Sequence, residues 1–228
     1  MKILLFIFAN KSLYYFVLLV SSISLVGAEI EYANAQKSQY QIAINMLSNV
    51  PVETLDMQSI PFCIRYTCRE LISVEIPQSK WNAITEVLIN KPKSARMERA
   101  ILSEVVSQIE ILMGRVTNTQ YDLGGTFRAK SAKKLNSTQL DCVDEAFNMN
   151  VYLNLLNNQG KLHWHRVSDV VHRGWLFDLA YPHTALSIAE LNSDDRFVID
   201  SWFHDNGRPP EVLPLSIWKA GWTPSDFR

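Results

Sequence analysis

The chain has 228 residues, enough for one domain of ordinary size or a core with a small N-terminal elaboration, and too few for two large domains. Hydrophobic residues make up 47% and charged residues 20%, with 22 Lys and Arg against 23 Asp and Glu, which excludes a disordered chain, a coiled coil and a collagen. With no basic excess and no Lys/Arg stripe interleaved with aromatics, the footprint of a nucleic-acid binder is missing, and the expected partner is a protein or peptide.

The first 28 residues carry Lys2 and Lys11 and then an uncharged stretch from Ser12 to Ala28 rich in Leu, Tyr, Phe, Val and Ile. These are the parts of an export signal, with small-residue sites at Val26-Gly27-Ala28 and Ala33-Asn34-Ala35. We expect residues 1–35 to be a signal peptide cleaved after about Ala28 or Ala35. The alternative is a retained anchor, because the span from Ile3 approaches the roughly 20 residues of a membrane helix. No second hydrophobic span of that length follows. The expected location is therefore outside the cytoplasm, periplasmic in a Gram-negative cell, with no membrane span after the signal.

Residues 36–60 are weakly periodic and read as helix and loop broken by Pro51. Phe62 to Ile76 alternates in part and reads as strand, bounded by Pro61 and Pro77. Within it lie Cys63 and Cys68, close enough to be bridged if the chain turns between them, as an exported protein permits. That pairing leaves Cys142 as the odd thiol, either a reactive nucleophile or a buried structural residue. Trp81, Ile84, Val87 and Leu88 have helical spacing, and the pattern ends near Pro92. Ser94 opens a longer amphipathic helix through Met97, Ile101, Val105, Ile109 and Leu112. Tyr121 to Gly125 breaks it, and Arg128 to Lys134 reads as an exposed basic loop.

Ser137 or Thr138 is the expected cap of the next helix, with Asp141 in the capping-box position, a run through Val143, Ala146, Phe147, Val151 and Leu155, and a stop at Gly160. Cys142 then lies in the first turn. Strands are expected at 162–171, 183–189 and 196–202, with a turn at Asn192-Ser193-Asp194-Asp195 joining the last two into an antiparallel hairpin.

A thiol in the first turn of a helix feels the positive end of the dipole, which favours thiolate. A nucleophile needs a base, and the base needs an orienting acceptor. His183 opens one hairpin strand and Asp200 lies near the end of the next, offset by a few residues from direct opposition. Cys142, His183 and Asp200 are the candidate catalytic residues. The backbone N–H of Cys142 is one candidate oxyanion donor, and Gln139, Asn136 and Tyr121 are candidates for a second by position alone.

The stretches Asp141-Cys142-Val143-Asp144-Glu145-Ala146, His183-Thr184-Ala185-Leu186 and Val198-Ile199-Asp200, in that order on a helix and two strands, resemble the bacterial transglutaminase-like cysteine proteinases, whose helix opens with Asp-Cys-Glu-Asp-Tyr-Ala. The resemblance covers roughly Ser94 to Trp202, including Asn118, Tyr121 and Asp122. It implies an α+β, papain/transglutaminase-like core at 94–228, its nucleophile at a helix N-terminus packed on an antiparallel sheet, preceded by an elaboration at 36–93 without a counterpart. It also implies a cysteine peptidase or amide hydrolase acting on a peptide or isopeptide bond, with acyl transfer as its near relative and room for a regulatory partner. The other class of reading is a non-enzymatic binding or scaffold protein that retains the fold. No cofactor is expected. Calcium enters only through the resemblance, because members with acids on both sides of the Cys bind it there. Val143 leaves Asp141 as the candidate ligand, and calcium takes six or more oxygens.

Plainer readings stand beside these. His163 and His165, alternate residues on one strand face, together with His172 suggest metal ligands, but no further Cys or acid has ligand spacing. Trp164, Trp175, Trp202, Trp218 and Trp222 read as core or covering residues before they read as a substrate groove. Asp144 and Glu145 are accounted for by the helix dipole. The signal predicts a mature N-terminus after Ala28 or Ala35; N-terminal sequencing that returns Met1 or Lys2 would identify a retained anchor.

Overall fold

In the computed structural model the chain divides into two units, Met1–Ile42 and Ala43–Arg228. The structure describes residue 45 and residues 52–126, 139–174 and 183–227, all within the second unit. The signal, the basic loop at 128–134, Asn136, the caps at Ser137 and Thr138, and Trp175 lie outside the described residues.

After a 3-10 turn at Val52–Thr54 come strands β1 (Ile60–Ile64) and β2 (Glu70–Val74), helix α1 (Gln78–Thr85) continued by a 3-10 turn at Glu86–Leu88, and the long helices α2 (Ala95–Thr117) and α3 (Cys142–Asn158). Strands β3 (His165–Arg173), β4 (His183–Glu190), β5 (Arg196–Asp200) and β6 (Glu211–Pro214) follow, and then a short helix, α4 (Leu215–Lys219). β1 and β2 form a two-stranded antiparallel sheet, and β3 to β6 a four-stranded antiparallel sheet in sequence order. The architecture is thus α+β, helices with antiparallel sheets. Among the described residues no helix is long and apolar enough to cross a membrane.

The packing follows from α3. Val143, Phe147, Met149, Val151, Tyr152, Leu153 and Leu156 point around most of its circumference and all are buried, so this helix must be covered on several sides. β1 packs on it from the N-terminal hairpin, and β3, β4 and β5 pack on it from the large sheet. Residues 60–74 are therefore part of the covering of α3.

Enclosure also buries polar residues of α3, and each needs a partner. The Asn148 side chain accepts from the Cys63 N–H at 2.8 Å and donates to the Cys63 carbonyl at 3.1 Å, a two-point tie that sets the hairpin's register on the helix. Asn154 donates to the Asn150 carbonyl at 2.8 Å.

The single strand expected over 62–76 is broken in two. Arg65, Tyr66, Thr67 and Cys68 all adopt left-handed backbone, with φ of 73°, 61°, 56° and 50°, and the chain doubles back through them. Each such non-glycine residue costs roughly 1–2 kcal/mol. The disulfide between Cys63 and Cys68, whose Cα atoms are 4.7 Å apart, closes this turn. Carboxylates captured by its amides, described below, offset the rest. No Gly, Pro or Asn marks the turn, which is why alternation alone reads straight through it.

The start of α3 also differs from expectation. Asp141 is itself the N-cap: its side chain accepts from the Val143 and Asp144 N–H groups, while the Asp144 side chain accepts from the Asp141 N–H. Cys142 is thus the first residue of the helix. α2 begins as expected, with Ser94 Oγ accepting from the Met97 N–H.

The bridge spans a loop of six residues, for which chain-entropy arguments give a stabilisation of about 2 kcal/mol. Replacing both Cys63 and Cys68 by Ala is expected to lower the melting temperature by about 4–8 °C in a domain of this size, checked by calorimetry of the oxidised parent and the variant.

Candidate active site

β4 and β5 pair with Leu186 opposite Ile199. Continued by one residue, this register sets Ala185 opposite Asp200, so His183 is the diagonal neighbour of Asp200 on the same sheet face. No bulge is needed to bring them together. His183 Nε2 lies 2.7 Å from Asp200 Oδ2, with both side chains buried. The same oxygen accepts the indole N–H of Trp218 at 2.7 Å. His183 is walled by aromatic rings, with centroids 4.5 Å away at Trp202, 5.2 Å at Phe203 and 5.4 Å at Trp218. This wall keeps water from the His183–Asp200 bond. The other ring nitrogen, Nδ1, is buried and has no hydrogen-bond partner among the described residues, the Cys142 sulfur included.

Cys142 is the one free cysteine and is 9% exposed. Asp141 occupies the Val143 and Asp144 amides with its side chain and the Glu145 amide with its carbonyl at 3.0 Å. The Cys142 N–H is the first-turn amide that this capping leaves. The Cys142 sulfur accepts from the backbone N–H of Thr184, the residue after His183, so the start of α3 meets the start of β4. Burial pushes the thiol well above its ordinary range, and the negative charges of Asp141, Asp200 and Asp144 add to that; the Thr184 amide opposes them. Burial and these charges act against the thiolate that the helix dipole is expected to favour.

The hairpin turn supplies what the acids at this helix end require. Asp144 accepts from the Tyr66 and Cys68 N–H groups, both at 2.7 Å, and Asp141 accepts from the Thr67 N–H at 2.9 Å. Consecutive left-handed residues turn successive amides toward one side, making a concave anion site. One Asp144 oxygen and the Cys63 and Cys68 sulfurs all lie within 4.8 Å of one another. The residues do not fit calcium. The oxygens of Asp141 and Asp144 are already taken by backbone donors, and Val143 supplies none.

A second group of acids adjoins the first, with Asp122 and Glu110 buried and Glu145 part-buried. Glu145 Oε2 accepts from the Ser201 hydroxyl at 2.7 Å, and Glu145 also hydrogen-bonds Asp122. Burial, with the Asp200 charge, lifts Glu145 to about 7. Burial and the Glu145 charge lift Asp122 to about 10, and burial lifts Glu110 well above the usual carboxylate range. Near neutral pH Asp122 and Glu110 therefore hold their protons, and Glu145 is partly ionised. Glu145, Met149, Thr184, Ile199, Asp200 and Ser201 line a small pocket between α3 and the sheet.

The other candidates go elsewhere. His163 Nε2 meets the Leu88 carbonyl, His165 is enclosed between Glu98 and Arg99, and His172 meets Thr184 Oγ1, so the three histidines do not converge. Gln139 donates to the Tyr121 carbonyl and accepts from the Leu123 N–H, with both amide ends engaged and Tyr121 itself exposed. Trp164 donates to the Pro92 carbonyl and Trp202 to the Thr126 carbonyl. Trp218, read from sequence as core, is core and also bonds Asp200; no sequence signal marks that bond. The backbone anion site on Asp141 and Asp144 was equally invisible, because it is made of amides. Comparison of the chain with family models, curated proteins and solved structures finds no match.

The buried acids carry a pH consequence with a definite sign. Glu145 is raised from 4.5 to about 7 in the folded state, so between those values the folded protein binds more protons than the unfolded one. Stability then falls as pH rises through that window. The melting temperature is expected to be higher at pH 5 than at pH 7.5, and Glu145→Gln is expected to flatten this slope in melts across that range.

Proposed function

We propose that this domain is an exported cysteine hydrolase of peptide or isopeptide bonds, built on a papain/transglutaminase-like arrangement of thiol, imidazole and carboxylate. The observation that carries the reading is the polarity of His183. Its Nε2 is committed to a carboxylate oxygen that also accepts an indole N–H, its Nδ1 has no partner among the described residues, and the next residue, Thr184, meets the Cys142 sulfur through its backbone N–H. The Cys63–Cys68 disulfide supports the exported setting.

In the mechanism, the Cys142 proton passes to His183 Nδ1 as the sulfur attacks the substrate carbonyl. A thiol raised by burial and carboxylates is a poor nucleophile unless that transfer accompanies attack, and the thiol–imidazole bond closes when substrate is bound. Asp200 holds the imidazole in the Nε2–H tautomer and stabilises the imidazolium. The Cys142 N–H faces the developing oxyanion. The imidazolium then protonates the leaving amine, and a water activated by His183 hydrolyses the thioester. An amine in place of water would give acyl transfer. The second reading, a binding or scaffold protein with this fold, is favoured by one observation, the burial of the thiol with its proton held.

Cys142→Ala and His183→Ala are each expected to lower amide hydrolysis about a thousandfold or more while the melting curve is kept, and the double variant to be hardly worse than either. The assay is amine release from peptide libraries by the full mature chain. Full activity in folded Cys142→Ala would end the cysteine-hydrolase reading and leave the binding protein.

A further inference from the structure

We infer that Trp218, on the short C-terminal helix α4, is a positioning residue that, by donating to the oxygen of residue 200 which His183 also meets, fixes which atom of that side chain faces the imidazole. The inference rests on the proposed roles of Cys142, His183 and Asp200, and its test includes a readout independent of them.

An indole N–H donates and cannot accept. Trp218 Nε1 and His183 Nε2 both lie 2.7 Å from Asp200 Oδ2, and a carboxylate oxygen has lone pairs for both but no proton to give. His183 Nε2 must therefore be a donor, and the lone pair falls on Nδ1. Without Trp218 this choice would be degenerate for any group at position 200 that has both a donor and an acceptor end, since imidazole can match either by moving its own proton.

Trp218 is in turn held from the strand beside His183. Its ring is fully buried among Val171, Ala185, Val198 and Leu213. Its carbonyl accepts from Arg173 Nη1 at 2.5 Å, and the same nitrogen donates to the Trp222 carbonyl at 2.7 Å. The guanidinium also lies over the indole, 4.5 Å from its centroid. Arg173 is the residue directly opposite His183 in the β3–β4 ladder. The chain of contacts closes on itself: Arg173 anchors α4, α4 carries Trp218, Trp218 orients Asp200, and Asp200 holds the histidine that pairs with Arg173. Five residues of helix would not hold this geometry alone.

The discriminating background is Asp200→Asn, whose amide has one acceptor end and one donor end. With Trp218 present, the amide oxygen is drawn to the indole N–H, and His183 keeps its proton on Nε2. Without the indole donor the amide can turn its NH2 toward His183, which then carries its proton on Nδ1, the nitrogen required to receive the thiol proton.

The experiment is a double-mutant cycle in the full mature chain with Trp218→Phe and Asp200→Asn, read by kcat and KM for amide hydrolysis and by nitrogen-15 NMR of the His183 ring. Each single variant is expected to lose about tenfold in kcat with KM little changed. The double variant should lose at least about tenfold beyond the product of the two. NMR should give the Nε2–H tautomer in the parent and both singles, and the Nδ1–H tautomer in the double. Should Trp218→Phe not fold, 3-benzothienylalanine at 218 keeps the shape and removes the donor. Losses that multiply within about twofold, together with an Nε2–H tautomer in all four proteins, would overturn the proposal. If the parent hydrolyses no amide, the catalytic reading falls, and the tautomers still decide the role of Trp218.

Discussion

The structure depends on how carboxylates are accommodated at the N-terminus of a buried helix. Asp141, Asp144 and Glu145 flank Cys142 at the start of α3, Asp200 lies close enough to act on the same thiol, and these acids are all 5% exposed or less except the part-buried Glu145, which lines the small pocket beside Asp200. Burying so much negative charge without cations would be prohibitive. Two devices answer it. The amides of the left-handed turn at Tyr66, Thr67 and Cys68 bind Asp141 and Asp144, and burial raises these two, Asp144 the further, together with Glu145, Glu110 and Asp122, so that protons replace part of the charge. The disulfide hairpin thereby belongs to the support of the site.

The same charge balance shapes the chemistry. Burial first, and then the acids around Cys142, oppose its ionisation, with the Thr184 amide acting the other way, so the thiol lies well above its ordinary range in the resting protein. The sulfur needs a base whose protonated form is stabilised in place. His183, bonded to Asp200 behind a wall of Trp202, Phe203 and Trp218, is that base in the proposed mechanism.

What could be read from the sequence follows from which features have side-chain patterns. The amphipathic period of α2, its Ser94 cap, the stop at Gly160 and the β4–β5 hairpin with its Ser193-Asp194 turn are local, and they fall where the pattern puts them. The pairing of His183 with Asp200 followed from that hairpin. The turn at Arg65 to Cys68 was hidden because its residues are not those that usually take left-handed backbone, and a disulfide with distant carboxylates pays for the conformation. The cap of α3 was displaced to Asp141 because Asp144 reciprocates, a choice between neighbours that composition does not rank. β6, α4 and the Trp218 bond were missed for a related reason: α4 is held by Arg173, far away in sequence, and short elements secured by tertiary contacts have no periodicity to detect.

The measurement that bears most directly on the central claim is the rate at which Cys142 is labelled at neutral pH by a peptidyl acyloxymethyl ketone, which binds as a peptide substrate does, beside iodoacetamide, in the oxidised full chain and in His183→Gln. If the imidazole takes the proton only as a bound substrate is attacked, iodoacetamide labels the parent no faster than a free thiol, whereas the peptidyl reagent labels it faster and His183→Gln loses that labelling. Labelling by the peptidyl reagent no faster than a free thiol, and equal in the parent and in His183→Gln, would contradict the account and make Cys142 a structural thiol.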